Sequence, residues 1–540
     1  MSTDAAPPPG SPLAEPLPQT LSAALRAAAR RRPDRTAWIF DPGDRFTFAE
    51  VDRLTDGYAL ALRDRGVRAG DRVAVLLGNE PAFPLTWLAL SRLGATMVPV
   101  NIKYQTADAE HVLRACAASA IVAAERFSPL LDRLPPDLPA LGRVLPAPDI
   151  AAAAAETASA PARDPARTAG LADPDPAGTA NVQFTSGTTG RPKGCLLPHR
   201  YWTILAASLV TEFPFLSERD VLFTAQPFHY IDPQWNVAAA LLSGATLVIA
   251  DGFHPSSFWA RVREHKVTYF YCLGAMPVLL LRMPADPADR EHSVRAVQCS
   301  AIPPALHQSL EERWGVPWYE AFGMTETGAD LRVTALDHDE LVGTGCLGGP
   351  AGHRSVQIVA GDGRPVPAGQ TGEITLAGPG MMDGYDADPQ ATARVLRDGW
   401  FHTGDLGWMD AAGRVYHAGR LKDMIRRSGE NIAAREVEEI LLTHPGVRLV
   451  AVSGVPDAIR GEEVKAWYVA AAGTGPAELA QYCRERLAAF KVPRFWQAAA
   501  DLPRTDSERV AKSRLGDLTG AVFDLSTGAW TSAAADGAGE

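Results

Sequence analysis

The sequence predicts an α/β protein with a largely parallel sheet, followed by a small β-rich part and a compact α+β unit. Three observations support this class. Apolar strand-like runs alternate with helical patterns through the first 340 or so residues. Short strands separated by glycine turns dominate from about 345 to 418, and residues 420–518 return to mixed helix and strand patterns. The length of 540 residues suits two or more domains.

The elements follow in order along the chain. Residues 1–19 are rich in Pro and Ala, which predicts a disordered tail, and a helix signal begins at Thr20. The runs 36–41 and 46–50 predict a small hairpin that precedes the first alternating helices and strands. Residues 145–179 are low in complexity and predict a surface loop or linker, in which a run of alanines favours a short helix.

Composition excludes several classes of protein. The net charge of −11 and the absence of a basic excess argue against nucleic acid or an anionic membrane as the main partner. The longest apolar stretch, residues 237–250, is too short to span a bilayer, and the N-terminus lacks the basic start of a signal peptide. The six scattered cysteines form no CxxC pair. We therefore expect a soluble cytoplasmic protein with reduced thiols.

The strongest local signal is the stretch 185–194, which follows a short apolar strand. Its glycines let backbone N–H groups approach an anion, its hydroxyls add donors and Lys193 adds a positive charge. The stretch is not a Walker A loop, because Lys193 is followed by Gly194 rather than Ser or Thr. It predicts a polyphosphate site, with a polar surface turn as the alternative. The candidate residues are Thr185, Ser186, Gly187, Thr188, Thr189 and Lys193.

Two further stretches carry groups suited to a nucleotide. Thr325 and Glu326 follow an apolar strand, and such a pair can hold a phosphate oxygen and a magnesium ion, while Phe322 offers a flat face for a base. Asp405 is placed to accept hydrogen bonds from ribose hydroxyls, and Arg420 opens the last domain. Each stretch alone is also compatible with an ordinary turn.

Together, FTSGTTGRPKG, PFHY, AFGMTET, GWFHTGDLG, GRLKDMIRRSGENI and AAFKVPR resemble, in that order, the adenylate-forming superfamily. This superfamily includes acyl- and aryl-CoA synthetases, peptide-synthetase adenylation domains and firefly luciferase. The stretch around residues 228–236 and the segment after it are similar to the carnitine/crotonobetaine-CoA ligase branch. The resemblance implies an N-terminal AMP-binding domain (20–419) with two βαβ-type sheets and a small β subdomain. It also implies a mobile C-terminal lid domain (420–518), which leaves 519–540 as a tail.

The resemblance also implies roles for individual residues. The nucleotide would contact Thr185 to Lys193 through its β- and γ-phosphates, Ser300, Ala301 and Phe322 through adenine, Thr325 through the α-phosphate, and Asp405 and Arg420 through the ribose. Glu326 would bind Mg²⁺ and Lys422 would be the hinge. His229 would border the acyl pocket and belong to the catalytic set. The remaining substrate-pocket candidates are Tyr230, Asp232, Gln234, Trp235, Gly274 and Gly323.

One segment departs from the family pattern. Near the C-terminus the family usually shows Pro-Arg-Thr, a small residue, then Gly-Lys, whereas this chain has Glu508 and Arg509 at the last two positions. Arginine keeps the charge but is bulkier and forked. Either Arg509 does the work, or Lys512 substitutes for it, or adenylation is altered; we favour Arg509.

The sequence therefore predicts an ATP- and Mg²⁺-dependent, AMP-forming ligase. It would adenylate a small or polar carboxylic acid and pass the acyl group to CoA or a carrier thiol, with Asp232 facing a cationic or amino group. One alternative is a diazotase of secondary metabolism that adenylates nitrite and nitrosates an aryl amine. A second alternative is a non-catalytic nucleotide-binding regulator. Homodimers are common in the family, but the sequence carries no interface signal.

Overall fold

The computed structural model describes residues 17–158, 171, 174–185, 192–428, 430–457, 459–504 and 510–531. Within them, three sheets and their helices confirm the predicted α/β architecture.

The strands, in chain order, are β1 (Thr36–Asp41), β2 (Arg45–Thr47), β3 (Arg72–Leu76), β4 (Thr96–Pro99), β5 (Ala120–Ala123), β6 (Val144–Pro146), β7 (Thr179–Thr185), β8 (Lys193–Pro198), β9 (Val221–Thr224), β10 (Thr246–Ala250), β11 (Tyr269–Leu273), β12 (Ala296–Ser300), β13 (Trp318–Met324), β14 (Gly328–Arg332), β15 (Cys346–Pro350), β16 (Ser355–Val359), β17 (Gly372–Ala377), β18 (Gly384–Tyr385), β19 (Leu396–Arg397), β20 (Trp400–Met409), β21 (Val415–Arg420), β22 (Met424–Arg427), β23 (Glu430–Ala433), β24 (Val447–Asp457), β25 (Gly461–Ala470), β26 (Phe495–Ala498), β27 (Val522–Asp524) and β28 (Ala529–Thr531).

The α-helices are α1 (Leu21–Arg31), α2 (Phe48–Asp64), α3 (Ala82–Leu93), α4 (Thr106–Ala115), α5 (Ser128–Leu131), α6 (Ala147–Ala158), α7 (His199–Thr211), α8 (Ile231–Ser243), α9 (Pro255–Glu264), α10 (Met276–Leu281), α11 (Pro304–Trp314), α12 (His338–Leu341), α13 (Pro389–Val395), α14 (Ala434–Leu442) and α15 (Pro476–Arg484).

The first sheet changes from parallel to antiparallel along its width. Strands β1, β10, β9, β11, β12 and β13 are parallel neighbours, and from β13 onward β14, β15, β21, β20, β17 and β16 pair antiparallel. The predicted β-rich part is thus hydrogen-bonded to the parallel half and continues the same sheet. The change from parallel to antiparallel pairing occurs at β13. Ligands commonly bind at the carboxyl ends of parallel strands near such a change.

The second sheet has the order β18-β8-β7-β4-β3-β5-β6, with its middle strands parallel and β7–β8 a hairpin. A large hydrophobic core joins the two sheets: it contains Trp38 on β1, Val75 on β3 and apolar side chains of the helices α2, α3, α7 and α8. This packing explains why strands such as β3 read as continuous apolar runs, since both faces are buried.

The predicted first helix and hairpin are present with one correction, whereas residues 1–16 of the predicted tail 1–19 lie outside the described residues. Thr20 caps α1, its side chain accepting from the Ala23 N–H, as the helix signal indicated. The predicted strand 46–50 is wrong beyond Thr47, because Thr47 and Glu50 form a capping box that starts α2 at Phe48. The alanine-rich helix predicted inside 145–179 is α6.

The C-terminal unit has a sheet of its own, ordered β23-β22-β25-β26-β27-β28, with β24 paired to β25 and α14 and α15 packed with it. The predicted tail from 519 is wrong for residues 522–531, because β27 and β28 form a hairpin that extends this sheet. Phe523 is buried against the core of the unit, and this apolar contact gives the hairpin its anchor.

All six cysteines are free and buried, which agrees with the expected reduced thiols. Among the described helices, none has both the length and the apolar character that crossing a membrane requires.

Candidate active site

The predicted phosphate loop connects the two strands of a hairpin. Thr185 ends β7, Lys193 begins β8, and the two residues face each other in register. The intervening candidates, Ser186, Gly187, Thr188 and Thr189, lie outside the described residues. The Lys193 ammonium lies 5.1 Å from the centre of the Tyr385 ring, on the short strand β18 that pairs with β8.

Glu326 lies directly after Thr325, beyond the end of β13, and it bonds to Tyr385, whose ring lies near Lys193. Its Oε1 accepts a hydrogen bond from the Tyr385 hydroxyl at 2.9 Å. Burial raises the pKa of Glu326, and the charges of Arg420 and Asp405 also act on it, the first lowering and the second raising the pKa. A divalent cation would offset the cost of burying this carboxylate, and carboxylate oxygen is the ligand that Mg²⁺ prefers, so the group suits a magnesium ion.

The predicted adenine contacts lie at the ends of β12 and β13. Ser300 donates a hydrogen bond to the Ala321 carbonyl oxygen at 2.6 Å, and Phe322 is on the same strand as Ala321. Ala301 has φ of +67°, which a residue with a Cβ rarely adopts. Buried Glu320 stabilises this turn, because its two oxygens accept from the Ala301 and Ile302 N–H groups at 2.6 and 2.8 Å. Burial raises the pKa of Glu320 to about 8.

Gly323 is dictated by close packing of β13 on β14. A Cβ at this position would lie 1.9 Å from the carbonyl oxygen of Gly328, which no side chain can accommodate without moving a strand.

The predicted ribose-binding residues, Asp405 and Arg420, are cross-strand neighbours. Asp405 on β20 faces Arg420 on β21, and its Oδ1 accepts from Arg420 Nε at 2.9 Å and contacts His417 Nε2 at 3.3 Å. Asp405 is 2% exposed, and within the described part of the chain its Oδ2 has no hydrogen-bond partner. Burial alone would raise the pKa of Asp405, but His417 and Arg420 outweigh it and hold the pKa below its usual value. A buried carboxylate oxygen of this kind calls for a donor such as a ribose hydroxyl.

Lys422 and Lys512 lie on the C-terminal side of this pair. Lys422 belongs to the 3₁₀ turn Leu421–Asp423, and burial lowers its pKa. Lys512 Nζ is 2.7 Å from Glu438 Oε1 on α14 and 3.7 Å from Asp423 Oδ2. Lys512 is thus engaged in an ion pair of its own unit. Arg509 lies outside the described residues.

A cavity of about 70 Å³ opens beside β13 and the first turn of α8. Of the predicted pocket residues, Asp232, Trp235 and Gly323 line it, together with Phe322. The other lining residues are Leu205, Leu209, Ile231, Tyr271, Gln298, Ala321, Gly328, Ala329, Leu331 and Arg332.

The other predicted pocket residues are not among those that line this cavity. Gln234 is fully buried and bonds to Asn181 and to the Phe228 carbonyl oxygen. His229 is buried, its ring lies 4.4 Å from that of Tyr230, and neither of its ring nitrogens has a partner among the described residues. Burial lowers the pKa of His229 to about 3, so this histidine is neutral at any physiological pH. Gly274 occupies a turn after β11 with φ of +58°.

Sequence reasoning missed several residues of the site. Tyr385 and His417 stand in no motif, and Glu320 precedes one by a single residue. Gln298 and Arg332 are buried polar residues in the middle or at the end of apolar strands, which is the one signal that could have identified them.

Comparisons with known proteins bear on this geometry. Residues 25–386 match the family described as AMP-binding enzyme, and residues 436–509 match the AMP-binding enzyme C-terminal domain. The chain is 33% identical over 502 residues to a crotonobetaine/carnitine–CoA ligase of Salmonella paratyphi B, covering 89% of this chain and 96% of that protein. It is 35% identical over 494 residues to a feruloyl-CoA synthase of an Amycolatopsis species, covering 90% and 96%.

Solved structures give the same result. An o-succinylbenzoate CoA synthetase of Bacillus subtilis, solved with ATP and a magnesium ion, is 26% identical to this chain. It superimposes with a TM-score of 0.79 and covers 92% of this chain and 99% of its own.

Proposed function

The chain belongs to the AMP-binding enzyme family, and we propose that the site around Glu326 and Asp405 activates a small or polar carboxylic acid. The overall activity is that of an ATP-dependent, AMP-forming acyl-CoA ligase, with ATP, Mg²⁺ and CoA as the other participants. We propose roles for individual residues in this activity and the class of acid that binds in the cavity.

In the first half-reaction the acid carboxylate attacks the α-phosphorus of ATP and pyrophosphate leaves. Lys193 and the Thr185 end of β7 would hold the β- and γ-phosphates, and Thr325 would contact the α-phosphate. Mg²⁺, when bound at Glu326, would offset the charge of the leaving pyrophosphate. Asp405 and Arg420 would fix the ribose, so that the α-phosphorus faces the cavity.

The observation that carries this proposal is the convergence of three separate motifs on one carboxylate. Glu326 is bonded to Tyr385, whose ring lies beside Lys193, and Glu326 is also within electrostatic reach of Arg420 and Asp405. Residues more than 190 positions apart in the chain thus lie close together, which supports a nucleoside triphosphate site here.

The lining of the cavity supports a polar acid. Its walls combine apolar side chains with the charged side chains of Asp232 and Arg332, which suits a polar acid better than a long apolar acyl chain. We propose that Asp232 accepts from a hydroxyl or amino group of the acid.

The terminal basic residue of the adenylation step is proposed to be Arg509. Lys512 forms an ion pair with Glu438 of the same structural unit. Rotation of that unit would therefore move Lys512 and Glu438 together and leave the ion pair intact. In the second half-reaction a thiol attacks the acyl-adenylate, and rotation at Lys422 would remodel the site for it.

The test is AMP release from ATP with a panel of carboxylic acids, with and without CoA, followed by mass analysis of the products. Acid-dependent AMP release that is accompanied by formation of the acyl-CoA thioester supports the proposal. AMP formed only with nitrite and an aryl amine would instead support a diazotase.

A further inference from the structure

A buried amide faces the proposed acid cavity with an unused donor. Gln298 lies on β12, is 3% exposed and lines the cavity. Its Oε1 accepts a hydrogen bond from the hydroxyl of Tyr269 at 2.7 Å, and Tyr269 is itself fully buried on β11. Because Oε1 accepts from Tyr269, the nitrogen Nε2 is the end of the amide that is left to donate. In the part of the chain that the structure describes, Nε2 donates no hydrogen bond.

The second polar group on the strand side of the cavity is also a donor. Arg332 ends β14, is 4% exposed, and donates to the Phe213 carbonyl oxygen at 2.7 Å and to Ser208 Oγ at 3.0 Å. These bonds hold the guanidinium in the wall, where its charge favours an electron-rich group in the cavity. The opposite, α8 side contributes the carboxylate of Asp232.

We propose that Gln298 determines the specificity of the reaction by donating from Nε2 to a hydrogen-bond acceptor on the far part of the acid, so that the substrates are compact hydroxy- or oxo-acids. The proposal rests on the proposed function, because it assumes that the acid occupies this cavity. A hydroxyl fits best, since its oxygen can accept from Gln298 while its proton remains available to an acceptor such as Asp232.

The physical basis is the cost of an unsatisfied buried donor. A donor that faces a cavity can be solvated by water until a ligand displaces that water. An acid that displaces the water and brings a methyl group instead leaves the amide unpaired, whereas one with a hydroxyl replaces the lost bond. Sites built around a buried polar group reject analogues that lack the partner far more strongly than apolar pockets reject small differences in size.

The experiment compares matched pairs of acids, 3-hydroxybenzoate with 3-methylbenzoate and 4-hydroxybenzoate with 4-methylbenzoate, by acid-dependent pyrophosphate exchange. We expect at least one hydroxy acid to exceed its methyl partner by about tenfold or more in kcat/KM. The variant Gln298→Met keeps the side-chain length without the amide, and it should bring that ratio to near one. The matched control Leu209→Met changes an apolar cavity residue and should leave the ratio within about threefold of the wild type.

Other outcomes separate the two levels of the proposal. Equal use of hydroxy and methyl acids by the wild-type enzyme would overturn the role of Gln298 while leaving the ligase intact, and this readout does not depend on whether the variant folds. A Gln298→Met enzyme that keeps the wild-type ratio would overturn it as well. A wild-type chain that forms no AMP with any acid would overturn the proposed function and this inference together.

Discussion

Replacing Lys512 by Met should destabilise the C-terminal unit while leaving adenylation nearly intact. Lys512 Nζ lies 2.7 Å from Glu438 Oε1, and the two side chains are 22% and 17% exposed. Glu438 also accepts from the Val452 N–H at 2.7 Å, and burial raises its pKa in spite of Lys512. Removing the lysine therefore leaves a largely buried carboxylate without its cation.

The size of the effect follows from that burial. Breaking a fully buried ion pair costs about 3–5 kcal/mol, and the partial exposure of both partners lowers our expectation to about 2 kcal/mol. Urea unfolding of Lys512→Met, Glu438→Gln and the double variant measures it, and the two single changes should be less than additive because each removes the same pair. Pyrophosphate exchange at saturating substrates should fall no more than about threefold in Lys512→Met, whereas Arg509→Ala should lose about a hundredfold or more, the effect of roughly 2.7 kcal/mol in the transition state.

If Lys512→Met unfolds at the wild-type urea concentration and loses adenylation a hundredfold, Lys512 works at the reacting phosphate and its pairing with Glu438 is incidental.

Three further changes test other parts of the site. Asp405→Asn removes the carboxylate that faces Arg420. Because hydrogen bonds to charged groups contribute about 1.5–3 kcal/mol, the KM for ATP in pyrophosphate exchange should rise about tenfold to a hundredfold. An unchanged KM would exclude the ribose role of Asp405. The folded-state pKa of Glu320 is about 8 against an ordinary 4.5, so its contribution to stability is complete below pH 4.5 and is lost as the pH rises to 8. Denaturant unfolding should therefore show the wild type losing up to about 1.4 kcal/mol per pH unit across that window and Glu320→Gln losing less; parallel profiles would contradict the assignment. Gly323→Ala places a Cβ 1.9 Å from the Gly328 carbonyl oxygen. It should destabilise the fold by about 1–3 kcal/mol, which thermal unfolding measures. A wild-type melting temperature would show that β13 and β14 separate easily at this position.

Local patterns in the sequence predict the elements well where one segment decides its own structure. The hydroxyl of Thr20 and the apolar run of β3 are sufficient to indicate a helix start and a buried strand. The error at residues 46–50 arose because a β-branched and aromatic run also contains the Thr47–Glu50 capping box, and the cap prevailed. The hairpin of β27 and β28 was missed because its strands are three residues long and depend on an apolar anchor supplied by the rest of the unit.

Long-range pairing could not be predicted from composition or periodicity. Strand β1 lies parallel to β10, more than 200 residues later, and the β-rich part joins the parallel half of the sheet through β13 and β14. The sequence predicts Glu326, Asp405 and Arg420 as candidate site residues, whereas their partners Tyr385 and His417 lie on strands that only the fold brings alongside. The same holds for Gln298, since a polar residue within an apolar strand gives no indication of which cavity it faces.

The measurement that tests the central claim most directly is the mass of the product formed from ATP, a compact hydroxy acid and CoA. A ligase of the kind described here gives AMP, pyrophosphate and the CoA thioester, with all three dependent on the acid. AMP formation that requires nitrite and an aryl amine, with no thioester from any acid, would contradict the account.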